Sequence, residues 1–149
     1  MSPFNLSMTS RPAITTYFLG AGSIALGLHC ILRPKQEYAR FGLPLEPAPR
    51  RSSRSQKHGI PDEGQPSPLI HLKGIREATY GLALIALQYL GHDDAVTVFN
   101  GIISLAGLGD GIIIWIYGGN KYRKKAWGHV GAFVALSGWS LWRAFYGRR

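Results

Sequence analysis

Four ionisable residues stand where apolar sequence should run unbroken. Lys73, Arg76 and Glu77 interrupt the apolar run 69–90, and Asp110 interrupts the run 95–117. An ionisable side chain inside a membrane costs at least about 2.5–3.5 kcal/mol on insertion scales, so it faces protein or water and finds a partner. Two carboxylates and an arginine can divide the labour of acid–base chemistry. Neighbouring carboxylates in a low dielectric do not both ionise easily. The ionised one can draw a proton from water while the protonated one donates. Asp110 is read as the base and Glu77 as the acid, with Arg76 orienting the water and Lys73 tuning the charge. That division suits hydrolytic opening of an epoxide, where water attacks as the ring oxygen is protonated, and it needs neither metal nor organic cofactor. It suits proton-driven cyclisation or isomerisation of a lipophilic substrate equally well. Tyr80, one turn deeper on the Lys73–Glu77 face, and Asn100 and Ser104 are the polar side chains left to meet a substrate.

The elements that must position these residues are long apolar helices. The chain has 149 residues, 46% apolar and 17% charged, with a formal net charge of +9. Its charge is segregated: residues 33–68 hold seven Lys/Arg, four Asp/Glu and seven of the nine prolines. Such a distribution argues against a soluble globule with dispersed charge and against a disordered chain. A bilayer core of about 30 Å needs roughly 20 apolar residues in a helix. The runs 13–32, 69–90, 95–117 and 126–146 meet that need and predict an all-α, four-transmembrane-helix bundle in a single domain. The first run is read as a retained span, because Arg33-Pro34 rather than a small-residue cleavage site follows it.

Counting residues sets depth. Spans two and three turn around Gly91-His92-Asp93-Asp94, with Glu77 lying 16 residues before Asp93 and Asp110 lying 17 after it. At about 1.5 Å per residue both carboxylates fall at one level, roughly 10–12 Å from the near boundary. Arg76 neighbours Glu77, Lys73 shares its face at i, i+4, and His129 opens the fourth span from the same side. His29 ends the first span there too.

Loop charge sets orientation. The segments 33–68 and 118–125 carry eleven Lys/Arg, including Arg50, Arg51, Arg54 and Lys57, so that side is expected to be cytosolic and both termini lumenal. Trp115, Trp127, Trp142 and Tyr146 fit an aromatic belt at the two boundaries. Residues 46–68 read as a mobile linker. Arg50-Arg51-Ser52-Ser53-Arg54 lacks the interleaved aromatics of a nucleic-acid site and reads as a solvated loop beside anionic lipid. Gly20, Gly22 and Gly27, Gly107-x-x-x-Gly111 and Gly128-x-x-Gly131 permit close helix approach. Asp93 and Asp94 read as turn or capping residues, and Arg143 as a boundary residue reaching for the interface. The histidines show no i, i+4 ligand pair, and Cys30 is the lone cysteine, so no metal site is expected.

The charged layer also admits other roles. Glu77–Lys73 and Asp110–Arg76 can be a structural network that only fixes the helices, leaving a non-catalytic scaffold for pathway enzymes. Transport is a third role, although the lumenal half offers few partners beyond Asn100 and Ser104 to continue a path.

At these residues the sequence resembles small fungal four-span membrane proteins encoded in secondary-metabolite clusters and catalogued as a domain of unknown function. The resemblance is carried by Gly27 before Pro34, Phe41-Gly42-Leu43-Pro44, Lys73-Gly74-Ile75-Arg76-Glu77 with Gly81, Asp110-Gly111 and His129. It covers most of the chain outside the basic linker. Glu77 stands where many relatives are expected to carry Asp. The resemblance implies an epoxide hydrolase of polyene polyketide pathways of the aurovertin and citreoviridin type, acting on epoxides made by a flavin monooxygenase. It also implies a fungal host and an endoplasmic-reticulum membrane.

Overall fold

The computed structural model describes residues 11–47 and 64–146. Its long elements are all helical: α1 (Arg11–Leu32), α2 (Pro34–Phe41), α3 (Leu69–Tyr89), α4 (Asp93–Tyr117), the single turn α5 (Gly119–Tyr122), a 3-10 turn at Arg123–Lys125, and α6 (Ala126–Tyr146). The all-α class matches the hydropathy reading, and the four long helices match the four apolar runs to within two residues at each end. Ile14–Leu32 and Asp93–Tyr117 are long and apolar enough to cross a membrane. α3 is interrupted by Lys73, Arg76 and Glu77, and α6 is diluted by His129, Arg143 and three tryptophans.

The helices associate as two pairs. α1 packs along α3, α4 packs along α6, and the pairs meet more sparingly where α3 touches α4. α1 and α6 each bury one face, so the four helices form an open row rather than a closed bundle. Glycine sets the α1–α3 distance. A Cβ on Gly27 would lie 2.5 Å from the Gly74 carbonyl oxygen, and one on Gly81 would overlap the Gly20 carbonyl oxygen. Backbone thus meets backbone at two levels seven residues apart on both helices, which is how small residues let helices approach without a hydrophobic driving force. In the other pair Gly107 and Gly111 face α6, whereas Gly128 and Gly131 look onto open space and contribute nothing to the approach.

α2 lies within the segment 33–68 that the sequence reads as a basic loop, and makes its first part helical. Pro34 suits a first helical position because its missing N–H is not needed there. Glu37, Tyr38 and Phe41 form the buried face, and Gly42 ends the helix at φ 117°, a left-handed conformation that glycine adopts without strain. Lys125 Nζ donates to the Ala39 carbonyl at 2.8 Å and the Arg40 carbonyl at 3.3 Å, anchoring the free carbonyls of the helix end. Leu43 packs against two small cores: Cys30, Tyr38 and Ile70 in one, Phe41, Ile114 and Ala126 in the other. The segment therefore lies across one end of both helix pairs. The expected linker 46–68 is tied at its ends, where Glu46 and Gln65 exchange two backbone hydrogen bonds of 2.8 Å. The basic residues Arg50, Arg51, Arg54 and Lys57 lie outside the described residues.

Arg143 is also corrected. It is 6% exposed rather than reaching outward. Its guanidinium donates to Asp93 Oδ1 and to Thr97 Oγ1, each at 3.0 Å. Asp93 also accepts from Gln88 Nε2 at 3.0 Å. Asp93 is therefore an ion-pair residue in the first turn of α4, where a negative charge suits the helix dipole, and the residue at the cap position is His92.

Candidate functional site

α3 presents Lys73 and Glu77 one turn apart, with Arg76 beside them, toward α4. α4 presents Asp110 at the same level. The four charges close on one another. Lys73 Nζ lies 3.1 Å from Glu77 Oε1 and 3.1 Å from Asp110 Oδ2. Arg76 Nη2 lies 3.4 Å from Glu77 Oε1 and 3.2 Å from Asp110 Oδ2. Each cation thus touches both carboxylates, and the formal charge of the quartet sums to zero. The sequence pairing of Glu77 with Lys73 and Asp110 with Arg76 is present, and so are both cross pairs. Three of the four side chains are largely covered, at 12–16% exposure, which leaves the pairs poorly screened.

Neighbours fix the quartet from behind. Ser23 of α1 donates to the Glu77 carbonyl at 2.8 Å and reaches Glu77 Oε2 at 3.4 Å. The Lys73 ammonium sits 4.7 Å from the centre of the Phe41 ring, a cation–π contact from α2. His129 does not join the quartet. Its Nε2 lies 3.2 Å from the Phe41 carbonyl oxygen and its ring meets the Phe41 ring edge-on at 5.1 Å. Phe41 stands between it and the Lys73 ammonium. His29 pairs with Glu37 at the α1–α2 junction.

A cavity of about 380 Å³ opens on one side of the quartet. Lys73, Arg76 and Asp110 contribute to its lining, together with Tyr38, Phe41, Glu46, Ser67, Leu72 and Ile113. Asp110 therefore has a face on the cavity and Glu77 stands behind it. Tyr38, Glu46 and Ser67 are site residues that the sequence reading does not single out. The Tyr38 hydroxyl donates to Glu46 Oε1 at 3.5 Å. Burial first, and the neighbouring Glu46 charge second, push the Tyr38 phenol above its ordinary pKa.

The three expected substrate contacts are placed elsewhere. Tyr80 packs edge-on against Phe99 at 5.9 Å, across the α3–α4 contact. Asn100 is fully buried and ties α4 to α6, its Nδ2 donating to the Leu136 carbonyl at 2.9 Å and to Ser140 Oγ at 2.8 Å. Ser104, also buried, donates to the Gly101 carbonyl one turn back at 2.7 Å. None of the three lines the cavity. Among the described residues, no group of three or more His, Cys, Asp or Glu side chains is placed to hold a metal ion.

The arrangement also has a family. Residues 20–143 match the family described as Domain of unknown function (DUF4267). The chain belongs to this family. The matched stretch runs from Gly20, one of the α1–α3 contact glycines, to Arg143, so it takes in the quartet, α2 and both helix pairs. Comparison with curated proteins and with solved structures finds no match. Chemically, the cavity offers a carboxylate, an ammonium and a guanidinium at one wall and a phenol–carboxylate pair at another.

Proposed function

We propose that this DUF4267 protein is a four-span membrane enzyme that opens epoxides of a lipophilic polyene polyketide with water and without a cofactor. The observation that carries the reading is the closed charge quartet with Asp110, Lys73 and Arg76 on a cavity wall. Asp110 takes a proton from water as the water oxygen attacks a ring carbon. The carbon–oxygen bond breaks, and the Lys73 ammonium gives a proton to the departing ring oxygen, which Arg76 stabilises. Asp110 then returns its proton to Lys73 across their 3.1 Å contact, which restores the site. Glu77 has no face on the cavity, so the expected role of proton donor passes to Lys73, and Glu77, as the carboxylate partner of Lys73, positions the ammonium.

The membrane setting rests on the outward faces. All four long helices expose large apolar side chains, among them Phe18, Leu82, Ile102 and Phe145. Apolar surface on that scale is far beyond what a monomer shows to water. Trp127, Trp142 and Tyr146 are exposed at the helix ends, as an interfacial belt requires. We place the α2 end on the cytosolic side of a fungal endoplasmic-reticulum membrane, with both termini lumenal. A flavin monooxygenase of the same secondary-metabolite pathway supplies the epoxide.

The test is incubation of the protein in vesicles with an epoxidised polyene in oxygen-18 water. Label enters the new hydroxyl, and the rate falls about 100- to 10,000-fold in Asp110→Asn, the range for losing a general base. Unchanged turnover in Asp110→Asn and Glu77→Gln variants that still accumulate defeats the assignment. The quartet also suits a purely structural role, because every charge already has two partners. Unaltered pathway output with both variants favours that non-catalytic scaffold, and uptake of unaltered compound into vesicles favours transport.

A further inference from the structure

We infer that the cavity receives the hydroxyl-bearing end of an uncharged long-chain molecule arriving sideways from the bilayer, with Tyr38 and Glu46 anchoring that end and Leu72 and Ile113 forming the mouth. The inference rests on the membrane reading above and deepens it by assigning the ligand's polarity, its direction of approach and two specificity residues.

The walls of the cavity differ. Leu69, Leu72 and Ile113 line it yet are 66%, 62% and 45% exposed, so they belong to the outer flanks of α3 and α4, which lipid covers. Tyr38, Phe41 and Ser67 line it and are buried. The mouth is thus apolar and lateral, and the interior sets the polar groups of Tyr38 and Ser67 beside the apolar Phe41 and Ile70. A volume of about 380 Å³ is at the lower end of the roughly 300–1,000 Å³ of small-molecule sites. It holds one end of a long molecule and leaves the remainder in the hydrocarbon.

The charge of the lining selects among polar ends. Lys73 and Arg76 line the cavity already matched by Asp110 and, behind it, Glu77, and Glu46 adds one exposed carboxylate on the Tyr38 side. A phosphate or carboxylate entering this site meets cations that are already matched and would bring an uncompensated charge into a low dielectric, and a quaternary ammonium can neither accept from Tyr38 nor donate to Glu46. A hydroxyl brings no such charge. It also has a place to bind. The Tyr38–Glu46 hydrogen bond is 3.5 Å, at the limit of such bonds. A hydroxyl that accepts from Tyr38 and donates to Glu46 replaces that long contact with two of ordinary length.

The experiment uses the full chain in phosphatidylcholine vesicles and three photoreactive probes of one chain length. Each carries a diazirine midway along the chain and no epoxide, and they end in a hydroxyl, a carboxylate and a quaternary ammonium. The alcohol is expected to label the segments 69–76 and 110–117 about tenfold more than either ionic probe, a difference of roughly 1.4 kcal/mol. Glu46→Lys sets three cations against Asp110 and Glu77, and the preference moves to the carboxylate probe. Tyr38→Phe keeps the ring and the charge but lowers alcohol labelling severalfold. If Glu46→Lys fails to accumulate, Tyr38→Phe decides. Equal labelling by all three probes, preference for an ionic probe in the unaltered chain, or a Tyr38→Phe variant labelled like the parent overturns the inference. Because no probe has an epoxide, failed labelling leaves the acid–base mechanism to the oxygen-18 experiment, and absent turnover leaves this result standing.

Discussion

The two ends of the helices both contain costly charges, and they treat them differently. At one end Lys73, Arg76, Glu77 and Asp110 form a two-by-two quartet across α3 and α4, with three of its members on a cavity. At the other end Arg143 of α6 is buried against Asp93 and Thr97 of α4, and Gln88 of α3 completes the contact. That second cluster lines neither this cavity nor the one between α4 and α6 at Gly111 and Trp127. Its carboxylate side chain is 64% exposed, so water compensates Asp93 directly. The comparison separates two uses of charge in apolar helices. A single ion pair with a hydrated member is a fastener. A balanced quartet that keeps a face on a cavity fixes its charged groups in place and joins the helix pairs at their sparse α3–α4 contact.

The largest expected effect comes from unbalancing the quartet. Asp110→Ala leaves two cations facing one carboxylate and should cost about 3–5 kcal/mol, the penalty for stranding a buried charge. Unfolding in detergent measures it, and the charge-balanced pair Asp110→Asn with Arg76→Gln should recover a substantial part. If the double change is no better than the single, the charges are not coupled and the comparison fails. Gly81→Ala comes next. Its Cβ meets the Gly20 backbone rather than a flexible side chain, so the helices must separate, at about 1–3 kcal/mol. The same method reads it, and a variant as stable as the parent removes glycine from the account of the α1–α3 pair.

Arg143→Met should cost less, about 1–2 kcal/mol, because the stranded Asp93 stays hydrated. A cost equal to that of Asp110→Ala would erase the difference between the two ends. The smallest effect is in alkali. The folded state holds the Tyr38 phenolic proton more tightly than the unfolded chain does, whose tyrosine ionises near 10.0. That stabilisation is complete below pH 10 and is lost as pH rises through the higher folded value. Tyr38→Phe should flatten this part of the stability curve, and an unchanged alkaline slope would remove Tyr38 as its source.

Much of this was legible from residue spacing. Apolar length located the four long helices, and counting outward from the Asp93 turn put Glu77 and Asp110 at one level, which their shared contacts with Lys73 and Arg76 bear out. α2 was hidden because Pro34 and the charges Lys35, Glu37 and Arg40 look like loop, and eight residues show too few turns for hydropathy to register. Its signals are Pro34 at the start, Gly42 at the stop, and Glu37, Tyr38 and Phe41 on one face. Tyr38, Glu46 and Ser67 could not be placed on the cavity without that helix. Asn100 and Ser104 look like substrate contacts because both are polar in an apolar run. Their partners are the Leu136 carbonyl and Ser140 Oγ for the first and the Gly101 carbonyl for the second, contacts no periodicity reveals.

The most direct measurement is oxygen-18 incorporation into an epoxidised polyene by two variants side by side, Asp110→Asn from the quartet and Arg143→Met from the fastener, each in vesicles at matched folded amount. Asp110→Asn is expected to lose label while Arg143→Met keeps a rate near that of the parent. Equal rates in both variants, or loss in Arg143→Met alone, would contradict this expectation.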